Sequence, residues 1–362
     1  MTVFLTGGTG CLGTQIAEEL ARRGERVLLL VRPKSKRSAE AWLSNLRKQG
    51  QAPPIVLLEG DVRRPGVLAT STGADRVRSE ATRVVHAAAV TNLAADVRSA
   101  WTTNVDGTRN VLDLARGIGG LQRVVHLSAG AVAGTCEGVF TEDDLDRGQS
   151  FYNAYAESKH VAEGHVREAM GDLPVTIVRP SAVVGDSRTG AIERIDGVYY
   201  LILLMLRIAR LPRPLRVLPF APGGDIARID LVPIDYVVTA LLALAEHEQS
   251  VGGTFALSDP RALTVRALAR VFAAELGIAG PFVGFRGRPL AMVLRGGRSS
   301  ATLRTLMDQL FNLPPELADG LAHRAVYDSQ RARALLEPLG ITAPHVADYV
   351  GPLLEYARRR LA

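Results

Sequence analysis

The sequence predicts an α/β protein with a Rossmann-type, doubly wound parallel sheet and a smaller, mostly helical C-terminal lobe. In the first half of the chain, short apolar runs alternate with longer amphipathic stretches, which is the order of strands and helices in a parallel sheet. The short runs are apolar almost throughout, as expected of strands that helices cover on both faces. The first run leads directly into a glycine-rich turn and a helical pattern.

The individual elements follow from this alternation. The predicted strands are Val3–Thr6, Arg26–Val31, Ile55–Glu59, Arg83–Ala87, Arg123–Ser128 and Val175–Arg179, with helices near 14–23, 37–49, 97–117 and 153–170. After about Gly185 the chain becomes loop-rich, with helical patterns at 197–210, 233–247, 264–277 and through most of 300–360. We expect a Rossmann domain over 1–185, to which 226–258 returns, and a substrate-binding lobe made of 186–225 and 259–362.

Composition limits the function classes. With 47% hydrophobic and 22% charged residues among 362, the chain is globular rather than disordered. The formal net charge of +6 comes mostly from dispersed arginines, with only four lysines, so no nucleic-acid-binding patch is expected. The histidines lack the spacing of a metal site, so no metal is expected.

The same composition suggests where the protein resides. The most apolar run, Tyr199 to Leu206, is much shorter than the ~20 residues of a membrane-spanning helix. The first strand begins too early to follow a secretory signal, and Cys11 and Cys136 are too few for a disulfide framework. We therefore expect a cytoplasmic protein without a membrane span.

The glycine-rich turn is the first candidate functional feature. Gly7, Gly10 and Gly13 are spaced three residues apart between the first strand and the first helix. Glycines at such a turn allow the backbone to approach a pyrophosphate, which the helix N-terminus then binds. The backbone of Thr9, Cys11 and Leu12 belongs to the same candidate cofactor site. An ordinary tight turn is the alternative interpretation.

Residues after the next strands indicate which dinucleotide would bind. Arg32 ends the second strand, where an acidic residue would favour NAD, and a cation favours the 2′-phosphate of NADPH. NADPH is therefore the expected cofactor, although a merely solvated basic loop would give the same pattern. Asp61 and Val62 follow the third strand and are candidates for contact with the adenine. Ala87 and Ala88 follow the fourth strand, where small residues permit close approach of the cofactor.

The candidate catalytic pair is Tyr155 and Lys159, which lie four residues apart and therefore share one helix face. An unperturbed tyrosine has a pKa near 10, and a neighbouring ammonium group lowers that pKa. Tyr155 could then exchange a proton with a carbonyl or alcohol oxygen while hydride moves. Lys159 could also hold the nicotinamide ribose.

These motifs together resemble the extended short-chain dehydrogenases/reductases, by motif over roughly residues 1–240. Within that family the likeness is nearest to fatty acyl-CoA reductases and to the thioester reductase domains of carboxylic acid reductases. The resemblance implies NADPH-dependent reduction of an acyl thioester, aldehyde or ketone on an apolar or carrier-linked small molecule, with Tyr155 as proton donor. It rests on the glycine turn, Tyr155/Lys159, Asn104–Thr108, Arg179–Ser181, Pro233–Val237, Val31–Pro33, Gly185–Gly190, Asp196–Gly197, Tyr327–Asp328 and Ala332–Leu336. Asn104 and Pro180 thereby join the candidate cofactor residues.

One position departs from the family pattern. The hydroxyl residue that usually polarises the substrate carbonyl is replaced by Ala129, and Ser128 precedes it. Loss of one such donor typically lowers the rate by ~10²–10³. Either Ser128 takes the role after a small shift, another group does, the protein reduces its substrate slowly, or it binds NADPH without catalysis.

Two further questions stay open from the sequence. A nucleotide-sugar epimerase or dehydratase on the same scaffold is an alternative function, although Arg32 disfavours its usual cofactor, NAD. The apolar helix Tyr199–Leu211 could line an acyl channel or simply be core. A monomer and a homodimer are both compatible with the helical patterns.

Overall fold

The computed structural model describes residues 1–48, 53–93, 95–193, 198–210, 220–221, 227–278, 283–284 and 324–361. The strands are β1 (Thr2–Thr6), β2 (Arg26–Val31), β3 (Ile55–Glu59), β4 (Arg83–His86), β5 (Arg123–Leu127), β6 (Glu137–Phe140), β7 (Val175–Pro180), β8 (Ala182–Val184), β9 (Phe220–Ala221), β10 (Arg228–Ile229), β11 (Leu231–Pro233), β12 (Gly253–Leu257), β13 (Leu263–Thr264), β14 (Val283–Gly284) and β15 (Arg324–Tyr327). The helices are α1 (Cys11–Arg22), α2 (Pro33–Lys48), α3 (Ser71–Glu80), α4 (Val97–Trp101), α5 (Gly107–Arg116), α6 (Ala154–Glu168), α7 (Tyr199–Ala209), α8 (Ile234–Glu246), α9 (Val265–Leu276), α10 (Gln330–Leu336) and α11 (Val346–Leu361).

Seven parallel strands form the central sheet in the order β3-β2-β1-β4-β5-β7-β12. Val3 of β1 pairs with Val27 of β2 on one side and with Arg83 of β4 on the other. Strands β2 and β3 thus lie on one side of β1, and β4 and the later strands lie on the other, so the strand order reverses between β1 and β4. Ligands of open α/β sheets bind in the crevice at such a point. The predicted Rossmann-type parallel sheet is confirmed.

Helices cover both faces of the sheet, which explains why its strands are apolar throughout. Along β1, Val3 and Leu5 belong to one buried cluster with side chains of α1 and α8, and Phe4 belongs to another with α3 and α5. This alternation follows from the two-residue period of a strand. Burial on both faces fixes the register of the strands and so the positions of the residues that follow them.

A second core lies in the C-terminal half of the chain. Side chains of α7, α9 and α11, among them Met205, Phe272 and Leu353, pack into one buried cluster. Tyr349 of α11 donates a hydrogen bond from its hydroxyl to the carbonyl oxygen of Leu231 (2.9 Å), which ties this cluster to β11. None of the described helices has the length and apolarity of a membrane span.

The structure differs from the sequence-based prediction in a few elements. Helix α3 was missed because its sequence is polar and buries only Ala74 and Val77. The helix expected over 97–117 is broken by a π-helical turn at Thr102–Asp106. Within the expected helical range 300–360, residues 324–327 form strand β15, and residues 300–323 lie outside the described part. The division into two domains stays a prediction.

Candidate cofactor and substrate site

A single large cavity of about 1110 Å³ runs along the carboxyl ends of the sheet strands. Each strand end contributes at least one residue to its wall, because the carboxyl ends of parallel strands meet at one edge of the sheet. From β1 to β12 these residues include Gly7, Arg32, Asp61, Ala87, Ser128, Ser181 and Asp259. The candidate residues that line the cavity are Gly7, Thr9, Gly10, Cys11, Leu12, Gly13, Arg32, Asp61, Val62, Ala87, Ala88, Ser128, Tyr155, Lys159 and Pro180.

The glycine turn is built for close backbone contact. Gly7 has a φ of +76°, and a Cβ at this position would lie 2.5 Å from the backbone nitrogen of Ala88. A Cβ on Gly13 would overlap with the carbonyl oxygen of Gly7. Gly10 precedes α1 and has no side chain that could cap the helix. The helix N-terminus therefore presents free backbone amides and a partial positive charge to the cavity. Both favour the binding of a negatively charged pyrophosphate.

Two arginines lie at the end of the cavity formed by β2 and β3. Arg32 lines the wall, as does Arg63, which sequence analysis missed. The Arg63 guanidinium group binds both carboxylate oxygens of Asp61, at 2.6–3.1 Å. Burial alone would raise the pKa of Asp61, but the hydrogen bonds with Arg63 hold it below its usual value. Lys36 of α2 pairs with Glu59 (3.2 Å) and is not among the residues that line the cavity.

Tyr155 and Lys159 both line the cavity from α6. The helix begins one residue before Tyr155 and is capped by the Asn153 side chain, which accepts a hydrogen bond from the amide of Ala156 (2.9 Å). Lys159 is buried, and its Nζ donates to the carbonyl oxygen of Leu127 (2.7 Å). Burial lowers the pKa of Lys159 to about 8, and the nearby Glu163 carboxylate opposes that shift.

Ser128 lines the cavity, but its hydroxyl is already engaged. It donates to Oε2 of Glu163 at 2.6 Å. Glu163 is fully buried and also pairs with Arg179 (2.5 Å) and Arg167 (3.1 Å). Burial would raise the pKa of Glu163, but the Arg179 charge and these hydrogen bonds hold it below its usual value. A hydrogen bond from Ser128 to a substrate would therefore break a bond to a buried carboxylate.

Asn104 lies behind the cavity wall rather than on its surface. Its side chain is buried and bonds to both backbone groups of Val90, accepting from the amide (2.8 Å) and donating to the carbonyl oxygen (3.2 Å). It also donates to the hydroxyl of Ser158 in α6 (2.9 Å). Asn104 thus fixes the cavity-lining segment at Val90 and joins it to the helix that carries Tyr155 and Lys159.

A polar cluster in the cavity wall near the ends of β7 and β12 was not predicted from the sequence. Oδ1 of Asp230 accepts the amide of Asp259 (2.9 Å), and Oδ2 accepts the hydroxyl of Ser181 (2.5 Å). Oδ2 of the Asp259 carboxylate lies 2.6 Å from Nδ1 of His345. Burial, and to a smaller degree the charge of Asp259, raises the pKa of Asp230 to about 7. These residues are separated by up to 164 positions, so sequence spacing gave no sign of the cluster.

Helix α7 contributes to both the cavity and the second core. Val198, just before the helix, and Leu201 line the cavity, whereas Ile202 and Met205 are buried in the core. Tyr199 is buried, and its hydroxyl accepts the amide of Gly185 (2.8 Å). Residues 196–197, which formed part of the resemblance, lie outside the described residues.

Comparison with known proteins gives the family. A family model described as male sterility protein matches residues 5–241. The chain is 29% identical over 281 residues to "Fatty acyl-CoA reductase wat" of Drosophila melanogaster, a match that covers 67% of this chain and 53% of that protein. It is 29% identical over 272 residues to "Carboxylic acid reductase" of Segniliparus rugosus, covering 67% of this chain and 23% of that protein. The match thus spans about half of one relative and a quarter of the other.

A solved structure agrees with these matches over nearly the whole chain. The terminal R domain from the myxalamid PKS-NRPS biosynthetic pathway superposes with a TM-score of 0.80 and 29% identity, covering 99% of this chain and 91% of that one. The strand order and the glycine turn are those expected of the family that these relatives indicate. The chain therefore belongs to the male sterility protein family of NAD(P)-binding, extended short-chain dehydrogenases/reductases.

Proposed function

We propose that this chain is an NADPH-dependent reductase of an acyl thioester, aldehyde or ketone borne on an apolar or carrier-linked small molecule. The observation that carries the proposal is the single cavity that the glycine turn, Arg32 and the Tyr155/Lys159 pair line together. The names of the relatives, a fatty acyl-CoA reductase and a carboxylic acid reductase, support the same substrate class.

The cavity residues fit a phosphorylated dinucleotide. The amides at the start of α1 would bind the pyrophosphate, because the glycine turn leaves them open to the cavity. Arg32 would bind the 2′-phosphate with Arg63 beside it, since guanidinium groups bind phosphate in a bidentate manner. When bound, NADPH supplies the hydride.

Tyr155 would donate the proton that the reaction consumes. When a hydride adds to the carbonyl carbon, the oxygen gains negative charge and takes a proton from the Tyr155 hydroxyl. Lys159, four residues further along α6, would stabilise the resulting phenolate while its ammonium group is charged. With a thioester the product is a hemithioacetal, which releases a thiol and leaves an aldehyde.

Consumption of reduced cofactor tests this proposal. The purified chain is given NADPH or NADH with acyl-CoA thioesters, aldehydes and ketones of varied chain length. We expect consumption selective for NADPH that is lost in Tyr155→Phe and shifted toward NADH in Arg32→Ala. Tyr349→Phe is the matched control, because the Tyr349 hydroxyl bonds to the carbonyl oxygen of Leu231 and neither residue lines the cavity.

Three outcomes would contradict the proposal. Tight NADPH binding without turnover of any substrate would indicate a cofactor-binding protein that does not catalyse, as the alanine at position 129 would allow. Release of bound NAD on denaturation would favour an epimerase or dehydratase. Undiminished turnover in Tyr155→Phe would exclude Tyr155 as the proton donor.

A further inference from the structure

The residue at position 129 leaves the proposed reaction without its usual second hydroxyl. Ala129 lines the cavity and has no polar side-chain atom. The neighbouring Ser128 hydroxyl is engaged with the buried Glu163 carboxylate at 2.6 Å. A developing oxyanion is stabilised by a hydrogen-bond donor within reach, and loss of one such donor typically lowers the rate by ~10²–10³. The cavity wall next to Ala129 is therefore the place to look for a substitute.

Tyr327 lies at that place. Strand β15 pairs in parallel with β6, with Tyr327 opposite Phe140. This pairing brings the Tyr327 side chain against Gly130, the residue that follows Ala129, and the Tyr327 hydroxyl donates to the carbonyl oxygen of Gly130 at 2.9 Å. Tyr327, Gly130, Ala129 and Tyr155 all line the same cavity.

The absence of a side chain at position 130 makes room for this tyrosine. A Cβ on Gly130 would lie 2.8 Å from Cζ of Tyr327 and 3.0 Å from its hydroxyl oxygen. A residue larger than glycine would therefore push the phenol away. Alanine at 129, glycine at 130 and tyrosine at 327 thus form one complementary set at the cavity wall.

We propose that the Tyr327 hydroxyl donates the hydrogen bond to the substrate carbonyl oxygen that the residue at position 129 cannot donate. Rotation about the Cζ–Oη bond turns its hydrogen from the carbonyl oxygen of Gly130 to the substrate oxygen. Tyr327 transfers no proton, and Tyr155 still supplies the one that the reaction consumes. The inference rests on the proposed reductase function.

The surroundings of Tyr327 keep it a donor. Burial raises the pKa of Tyr327 above its usual value, and the negative charge of Asp230 and an ionised Tyr155 raise it further. Tyr327 therefore holds its proton, and in the proposed reaction the proton still comes from Tyr155. This difference separates a hydrogen-bond donor from a proton donor within one cavity.

Steady-state kinetics of four proteins tests the inference: wild type, Tyr327→Phe, Ala129→Ser and the double variant. We expect Tyr327→Phe to lower kcat by ~10²–10³ with little change in KM or in the Kd for NADPH, because the lost bond strengthens only in the transition state. Ala129→Ser should restore much of kcat in the Tyr327→Phe background. Circular dichroism and NADPH binding check that each variant is folded.

The outcomes separate the inference from the proposed function. Wild-type kcat in Tyr327→Phe, alongside an inactive Tyr155→Phe, would overturn the inference and leave the reductase function standing. If Tyr327→Phe raises only KM, or if Ala129→Ser does not restore the lost kcat, Tyr327 only shapes the substrate pocket and the inference is overturned. No turnover in the wild type would overturn both.

Discussion

Individual buried charges determine the electrostatics beneath the cavity. Lys159 and Glu163 lie one helical turn apart on α6, and Arg179 of β7 pairs with Glu163. Each charge taken out of water is costly unless it is paired, and here the glutamate is shared by two arginines and the Ser128 hydroxyl. The negative charge of Glu163 in turn favours the charged form of Lys159, against the effect of burial.

Asp230 provides a prediction for pH dependence. Its pKa in the folded protein is about 7, above the unfolded value of 3.8, so the folded state binds more protons between these two pH values. The contribution of Asp230 to stability therefore falls as the pH rises from about 4 to 7. The side chain of Asp230→Asn does not titrate. The Tm of this variant minus the Tm of wild type should therefore be larger at pH 8 than at pH 5.

Thermal unfolding of both proteins across this pH range provides the check. The difference in Tm between Asp230→Asn and wild type should increase from pH 5 to about pH 7 and level off toward pH 8. A difference that stays constant over this range would mean that Asp230 is ionised throughout, and that burial does not raise its pKa.

Sequence spacing predicted some site residues and could not predict others. Gly7, Gly13 and the pair Tyr155/Lys159 are found by short periods within one turn or helix. Arg63 binds a residue only two positions away, but no pattern marks which arginine turns back toward the cavity. Asp230 contacts Ser181 and the amide of Asp259, which are distant in sequence and meet only in the folded chain. Contacts of this kind cannot be predicted without the fold.

The strand–turn–helix formed by β1 and α1 is the element on which the proposed cofactor binding depends. In Gly13→Ala the added methyl group would collide with the carbonyl oxygen of Gly7. Overpacking of this kind costs about 1–3 kcal/mol, which corresponds to a roughly five- to 150-fold weaker Kd when it displaces the binding amides. We expect such a weakening for NADPH, measured by fluorescence titration.

Gly164→Ala in α6 is the matched control, since nothing lies within 4 Å of the added Cβ. Replacement of a helix-interior glycine by alanine typically stabilises by about 0.5–1 kcal/mol. This variant should bind NADPH as wild type does and unfold at a slightly higher temperature. Equal NADPH affinities for Gly13→Ala and wild type would contradict the role of the turn.

At the level of elements, prediction succeeded where hydrophobic periodicity is strong. Six of the seven sheet strands were predicted as continuous apolar runs, whereas β12, which begins with a glycine, was not predicted. Helix α3 buries only two side chains, and β15 is a short strand whose partner β6 lies almost 190 residues earlier. Pairing over such a distance leaves no local signal, which is why β15 was assigned to a helical range.

For the whole molecule, Glu142 connects the C-terminal segment to the sheet. Its buried carboxylate accepts the amides of Ala256 in β12 (2.9 Å) and of Arg331 (2.7 Å) and Ala332 (3.0 Å) in α10. Truncation in Glu142→Ala leaves these three amides without an acceptor. We expect a loss of about 2 kcal/mol or more in the free energy of unfolding, measured with urea.

Asp143→Ala is the control for this comparison. Its carboxylate is exposed and pairs with the Arg331 guanidinium at 2.8 Å. An exposed pair typically contributes about 0–1 kcal/mol. Similar unfolding free energies for Glu142→Ala and Asp143→Ala would show that the buried carboxylate does not hold the C-terminal segment in place.

The cavity is a property of the whole chain, because its walls come from every sheet strand, from α7 and from β15. The strand ends and the glycine turn could be predicted, since both belong to the Rossmann-type half. The polar cluster at Asp230 could not, and Tyr327 was noted only as part of the resemblance, because the pairing of β15 with β6 that brings Tyr327 to the cavity leaves no local signal.

Transfer of deuterium tests the central claim most directly. NADPH deuterated at nicotinamide C4, in each of its two epimers, is incubated with the protein and a medium-chain acyl-CoA. Mass spectrometry should find deuterium on the former acyl carbon of the aldehyde or alcohol with one epimer and not the other. Unlabelled product from both epimers, or no reduced product from any acyl thioester, aldehyde or ketone offered, would contradict the assignment as an NADPH-dependent reductase.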